Sequence, residues 1–216
     1  MGKINIVGIG PGSKDYLTYK AVLTVKESDI TIGSQRAIDL FDEVNEKIVF
    51  NVKNLSENLE KSVDLAIEGK TVSVLSTGDP GFSGVLKPIL RICETKNFDK
   101  TNIEVIPGIS SLQLASGKTR ISWDNANIMT FHGRENIEEI LPVIDNGKPT
   151  IALPSRSIKD MAKFLIDNNV DPQRKITVCE RLSYPDEKIV NSTLNDIANS
   201  DFSYMCIMVI YPHLKI

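Results

Sequence analysis

The sequence predicts an α/β protein of two domains, with a mostly parallel sheet in the first and a mixed sheet in the second. Three observations point there. Short β-branched runs alternate with helix-period apolar stripes through the first half. Glycine-rich turns stand directly behind several of those runs. In the second half the last runs lie too close together for every link to be a crossover helix, so some strands there must pair antiparallel.

The elements follow in order. Residues 3–7 read as the first strand. Leu17, Ala21, Val22 and Val25 then mark a helical face behind Asp15 and Thr18, both suited to cap a helix. Residues 29–32 and 47–50 are the next two strands. Leu55, Leu59, Val63 and Ala66 keep helical spacing, and Gly69 closes that helix. Residues 71–75 form a strand, Val85, Leu86, Ile89, Leu90 and Cys93 a helical stripe, and residues 103–106 a strand stopped by Pro107-Gly108. Strands at 128–131 and 150–153 enclose a helix expected from Ile137, Ile140, Leu141 and Ile144. Ile158, Met161, Ala162 and Leu165 predict another helix, capped by Ser157. Strands at 176–179, 188–191 and 204–211 complete the chain. A short small-residue helix near 115–120 joins the halves, which sets the domains at 1–116 and 117–216.

With 216 residues the chain can bury a sizeable core. Its 41% hydrophobic and 25% charged residues are those of an ordered globular protein. A net charge of -3 weighs against a nucleic-acid partner, which favours a basic surplus. Cys93, Cys179 and Cys206 are widely spaced in apolar stretches, with no CxxC, so neither a disulfide framework nor a protein-bound metal is expected. Buried free thiols fit a reducing, cytoplasmic setting. No apolar run is long enough to span a membrane, and the start does not read as a signal peptide. Ile6 stands where a myristoylation motif needs Ser or Thr.

Gly8-Ile9-Gly10-Pro11-Gly12-Ser13 ends the first strand. A dinucleotide fingerprint would need glycine where Ser13 stands and a helix beginning at the loop. Pro11 removes an N–H that a phosphate would use, and no acidic residue closes the second strand. No Gly-Lys-Ser/Thr follows for a phosphate loop. A tight turn accounts for one glycine but not three. Three glycines instead predict close backbone approach to something bulky that is not anionic. Thr77-Gly78-Asp79-Pro80-Gly81-Phe82 and Pro107-Gly108-Ile109-Ser110-Ser111 follow two further strands. In a parallel sheet these ends share one edge, where ligands bind.

Taken together, Gly8-Ile9-Gly10-Pro11-Gly12, Gly78-Asp79-Pro80 and Pro107-Gly108-Ile109-Ser110-Ser111 resemble the tetrapyrrole methylase family in order and spacing. Val178-Cys179-Glu180-Arg181-Leu182-Ser183 and Ser192-Thr193-Leu194 are similar to its closing region, so the resemblance covers nearly the whole chain. It implies two α/β domains with a cleft between them, a homodimer, and S-adenosylmethionine as methyl donor. Phe82-Ser83-Gly84, Trp123-Asp124 and His132-Gly133-Arg134 resemble the branch that methylates carbon 5 of (cobalt-)precorrin-7 in cobalamin biosynthesis. In some organisms that activity is fused to a decarboxylating C15-methylase; here the partner activity is expected on a separate chain. Thr77 departs from the glycine that often precedes Gly-Asp-Pro.

By motif position the resemblance assigns Gly10, Pro11, Gly78, Asp79, Phe82, Ser110 and Ser111 to the methyl donor, with Leu153 transferred from the end of a second-domain strand. Asp79 also reads as a plain turn residue before Pro80. A corrin-type tetrapyrrole carries many carboxylates, which guanidinium groups pair well. Arg36, Arg120 and Arg134 lie near predicted strand ends or loops and are the candidates, against the reading of solvated surface arginines. Asp124 and His132 are the first residues to test as a catalytic base; His132 reads equally as structural. Trp123 serves either a ring stack or the core. Rival functions keep the fold: methylation at another corrin position, of RNA or of a protein side chain, or a non-catalytic tetrapyrrole carrier.

Overall fold

The computed structural model of the chain describes residues 2–133, 136–155 and 157–213. The chain forms two compact units, Met1–Ser110 and Ser111–Ile216. The sequence expectation of 116/117 would cut the helix Ser111–Thr119; as one unbroken helix it goes whole with the second unit.

In the first unit, β1 (Lys3–Gly8), β2 (Ile30–Gly33), β3 (Glu46–Val49), β4 (Thr71–Ser76) and β5 (Ile103–Ile106) form one sheet, ordered β3-β2-β4-β1-β5. Every pairing in it is parallel, as the alternation predicts. The helices are α1 (Tyr19–Glu27), α2 (Gln35–Ile38), α3 (Leu55–Ile67) and α4 (Leu86–Thr95). Thr18 caps α1 by accepting from the Ala21 N–H; Asp15 caps nothing and lies in a preceding 3-10 turn capped by Ser13. The four-residue α2 is too short to show a period. Val22, read as part of the apolar face of α1, is exposed.

Both faces of this sheet are covered. Ile4, Ile6, Ile32, Val72 and Val74 pack with Leu59, Val63, Ala66, Ile89 and Cys93 from α3 and α4. On the opposite face Val7, Leu75 and Ile106 pack with Ala21, Val25, Ala37 and Ile38 from α1 and α2. The register also aligns Thr31, Ser73 and Asn5 on that second face, all buried. Ser28, at the end of α1, bonds the Ser73 hydroxyl at 2.7 Å and donates to the Thr24 carbonyl at 2.8 Å. Asn5 Oδ1, Thr24 Oγ1 and Thr31 Oγ1 have no hydrogen-bond partner among the described residues.

The second unit opens with α5 (Ser111–Thr119). Its sheet joins β6 (Asn127–Thr130), β7 (Thr150–Leu153), β8 (Lys175–Glu180), β9 (Lys188–Thr193) and β10 (Cys206–Ile210), ordered β6-β7-β10-β8-β9. β6 and β7 are parallel; β10 is antiparallel to β7 and β8, and β8 to β9. The mixed sheet is therefore as expected. α6 (Ile158–Asp167) and α7 (Leu194–Ala198) bury Met161, Leu165, Leu194 and Ile197 against Ala152, Ile176, Val178 and Met208. The helix expected over 137–144 reduces to a 3-10 turn, Glu138–Ile140, followed by turns. Pro142 has no N–H to extend the ladder, although Ile140 and Ile144 still reach the core.

Four helices end with the same pair of bonds. In α3, α4, α5 and α6 a left-handed residue follows the cap, and the next N–H reaches back to the last turn: Lys70 to Leu65, Phe98 to Cys93, Ile121 to Ser116, Val170 to Leu165. The left-handed residues are Gly69, Asn97, Arg120 and Asn169. Glycine and asparagine suit this conformation; arginine, at φ +57° in Arg120, is strained there.

Candidate functional site

Because β4, β1 and β5 are neighbours, the three motif loops of the first unit emerge side by side. They pack backbone on backbone. Gly78 N–H donates to the Gly10 carbonyl at 2.8 Å and Gly10 N–H returns a bond to the Gly78 carbonyl at 3.3 Å. A β-carbon on Gly8 would lie 2.5 Å from Gly108 N. One on Gly10, whose φ is +75°, would lie 2.8 Å from the Tyr16 carbonyl oxygen. At Gly8 and Gly10 the close neighbour that requires glycine is the chain itself. Gly78 differs: it needs glycine for its φ of +70°, but the nearest atom to a β-carbon there is Ser110 Cα at 3.8 Å.

Asp79 joins two of the loops. Its Oδ1 accepts from Gly81 N–H at 2.8 Å and its Oδ2 from Gly108 N–H at 3.1 Å. Phe82, half-buried, donates its N–H to the Asp79 carbonyl at 3.3 Å. Pro11 is buried, and Ser110 ends the first unit half-buried. Ser111 opens α5. Arg36, on α2, is exposed and donates to Thr77 Oγ1 at 3.4 Å, so the residue that departs from the family pattern meets a candidate arginine. The N–H groups of Gly10, Gly78, Gly81, Phe82 and Gly108 are all engaged inside the loops. These five donors are therefore not open to a phosphate, which suits a ligand of low negative charge.

In the second unit the C-terminal ends of β6, β7 and β8 share an edge with the starts of β9 and β10. Leu153 lies there, half-buried, its carbonyl accepting from Phe131 N–H at 2.8 Å. His132 follows Phe131 and is exposed. Asp124 is at the opposite end of β6, in the 3-10 turn Trp123–Asn125, accepting from Ser122 Oγ at 2.6 Å. The four-residue strand between them spans roughly 10–13 Å, so Asp124 and His132 are not brought together on one reacting atom. Arg120 stands at the Asp124 end, exposed. Trp123 is 47% exposed, which removes the core reading. Arg134 lies outside the described residues.

The same edge carries a turn to which sequence reasoning gave no role. After β8, Arg181 and Ser183 both take positive φ, +50° and +72°. Arg181 donates to Asp186 Oδ2 at 2.6 Å and covers the Tyr184 ring, 4.8 Å from its centroid. The bond from Arg181 holds the Asp186 carboxyl below its ordinary range. Burial alone would push Glu187 up, but hydrogen bonds from Lys118 and the Ser183 N–H outweigh it and hold this carboxyl low. Positive φ at an arginine and a serine leaves no mark in the sequence. Among the described residues no group of three His, Cys, Asp or Glu is placed to hold a metal ion, and no helix is long and apolar enough to cross a membrane.

Comparison with known proteins ties these loops to a lineage. The profile of the Tetrapyrrole (Corrin/Porphyrin) Methylases matches residues 3–198. The chain is 45% identical to a probable cobalt-precorrin-7 C(5)-methyltransferase of Methanocaldococcus jannaschii over 95% of its own length and 96% of that protein's. It is 31% identical to the cobalt-precorrin-4 C(11)-methyltransferase of the same organism, over 91% and 80%. In fold it is similar to the crystal structure of the methyltransferase CobJ, with a TM-score of 0.84, 16% identity and coverage of 99% and 95%. A match that runs from β1 through α7, and so takes in all three loops, the whole first sheet and every strand of the second but β10, makes this chain a member of the tetrapyrrole methylases.

Proposed function

We propose that this chain transfers a methyl group from S-adenosylmethionine to carbon 5 of cobalt-precorrin-7. The observation that carries the reading is the near end-to-end likeness to the archaeal relative of that name, at a level well above the likeness to the C(11) relative. The loop edge of the first unit supports the choice of methyl donor. The N–H groups of Gly10, Gly78, Gly81, Phe82 and Gly108 are spent internally, the side of Gly78 is open, and Phe82 and Ser110, half-buried in these loops, add an apolar and a neutral polar group. These features fit a compact ligand carrying a sulfonium rather than phosphates.

Bound there, S-adenosylmethionine would supply a sulfonium methyl that an electron-rich ring carbon takes in one displacement, with the S–C bond breaking onto sulfur. The chain's part is alignment and shelter from water. Holding the reacting atoms in line at about 3–3.5 Å supplies much of the rate. Arg36 and Arg134 are proposed to pair ring carboxylates. Of the two candidate bases we favour His132, which shares its strand-end edge with Leu153, over Asp124. The reading carries with it a cytoplasmic homodimer and a separate decarboxylating C15-methylase. The three free, buried thiols are in keeping with a reducing compartment.

The test is to incubate the protein with labelled methyl donor and a panel of corrin intermediates and to locate the new methyl by NMR. Label on carbon 5 supports the reading, and label on carbon 11 or elsewhere reassigns the acceptor. Absence of S-adenosylhomocysteine binding at millimolar ligand in calorimetry would remove the methylase reading. Light scattering tests the dimer.

A further inference from the structure

The carboxylate of Asp79 ties two of the motif loops together. Oδ1 closes the turn after β4 by accepting from Gly81 N–H at 2.8 Å. Oδ2 crosses to the loop after β5 and accepts from Gly108 N–H at 3.1 Å. A β-carbon on Gly81 would lie only 3.2 Å from Oδ1, so the carboxylate rests directly on the turn it closes. Gly108 in turn packs against Gly8 and Gly78, which links the clasp to the loop after β1. Bonds from backbone N–H groups to an ionised carboxylate are among the stronger hydrogen bonds a loop can make.

We infer that Asp79 is a positioning residue. Its two oxygens fix the loops after β4 and β5 in the shape that receives the methyl donor, and it acts on that ligand through the backbone it holds rather than by touching it. The identity of the ligand rests on the function proposed above; the clasp does not. The alternative role for an acid at this place is direct attraction to the sulfonium charge, and the two roles separate experimentally. S-adenosylmethionine carries that charge and S-adenosylhomocysteine does not.

Asp79→Asn keeps one acceptor for Gly81 but turns an amide NH2 toward the Gly108 N–H, which opens the clasp on one side. Calorimetry with both ligands, on wild type and variant, is the test. The expected result is that both affinities fall by the same factor, about tenfold. In turnover, KM for the methyl donor rises by a similar factor while kcat at saturation changes little. A loss for S-adenosylmethionine much greater than for S-adenosylhomocysteine would overturn the inference in favour of a charge contact, and unchanged affinity for both would overturn it outright. Amide hydrogen exchange on ligand-free wild type makes the test independent of how the variant folds: Gly81 and Gly108 should both be protected, and free exchange at both would show that no clasp exists. Wild-type protein that binds neither ligand, with both amides protected, would refute the methylase reading and with it the proposed role, while leaving the clasp standing.

Discussion

A β-carbon built on Gly108 would lie 2.3 Å from the carbonyl oxygen of Gly78, well inside any real contact distance. The two residues sit in loops that follow β5 and β4, strands that both flank β1. Gly108→Ala should therefore force the loops apart and destabilise the first unit by about 2–3 kcal/mol. Gly78→Ala meets no atom closer than 3.8 Å and should cost about 1 kcal/mol, from its positive φ alone. Its methyl projects to the open side, so affinity for S-adenosylhomocysteine should fall more than stability does. Urea midpoints and calorimetry check both statements, and a larger stability loss at Gly78 than at Gly108 would contradict the packing described.

Arg120 occupies the helix-end position that Gly69, Asn97 and Asn169 fill elsewhere. Arg120→Gly should relieve the left-handed strain and raise stability by about 0.5–1 kcal/mol, net of glycine's greater freedom when unfolded. If the guanidinium serves the ring substrate, the same variant should raise the substrate KM with no change in affinity for the methyl donor. Denaturant unfolding and steady-state kinetics read the two effects separately.

The three thiols should resist labelling. Burial pushes the Cys179 thiol up to about 11 and the Cys206 thiol up to about 12, and it raises Cys93 as well. Almost no thiolate is then present at pH 8, and reaction with a disulfide reagent should proceed only as fast as the protein opens. Labelling rates that fall with added stabilising ligand would agree; rapid labelling of the folded protein would not.

Acid should loosen the turn at 181–187 before it unfolds the sheet. Asp186 and Glu187 both titrate below their ordinary values in the folded protein. A lowered folded value means that these carboxylates favour the folded turn fully above the ordinary range near pH 4–4.5, and that the contribution is lost as pH falls through the folded values. Protection of the amides across this turn, taken relative to their intrinsic exchange rates at each pH from 6 to 3, should fall while β8 and β10 remain protected. Replacing Asp186 by Asn should remove part of that pH dependence.

The parallel sheet was legible because β-branched runs such as Thr71–Ser76 stand between helical stripes, and the loops were legible because Gly10, Gly78 and Gly108 follow strands directly. Other features were hidden by their physics. Ile137, Ile140, Leu141 and Ile144 keep helical spacing, but Pro142 breaks the ladder that spacing alone implies. The separation of Asp124 from His132 follows from β6 lying between them, which neighbouring motifs do not reveal. Glycine can answer a ligand or another loop, and only the folded register shows that Gly8 faces Gly108. The bond from Gly108 to Asp79 joins residues far apart in the chain, where local pattern carries no signal.

The aligned side chains of Thr31, Ser73 and Asn5 leave room for greater heat tolerance. Thr31 is fully buried and its hydroxyl has no partner among the described residues, while a valine would fill the same volume without an oxygen to satisfy. Thr31→Val should gain about 1 kcal/mol, or roughly 2–4 °C in Tm for a chain of this size. It touches none of the three loops, so warming the fold in this way should leave ligand affinity where it was.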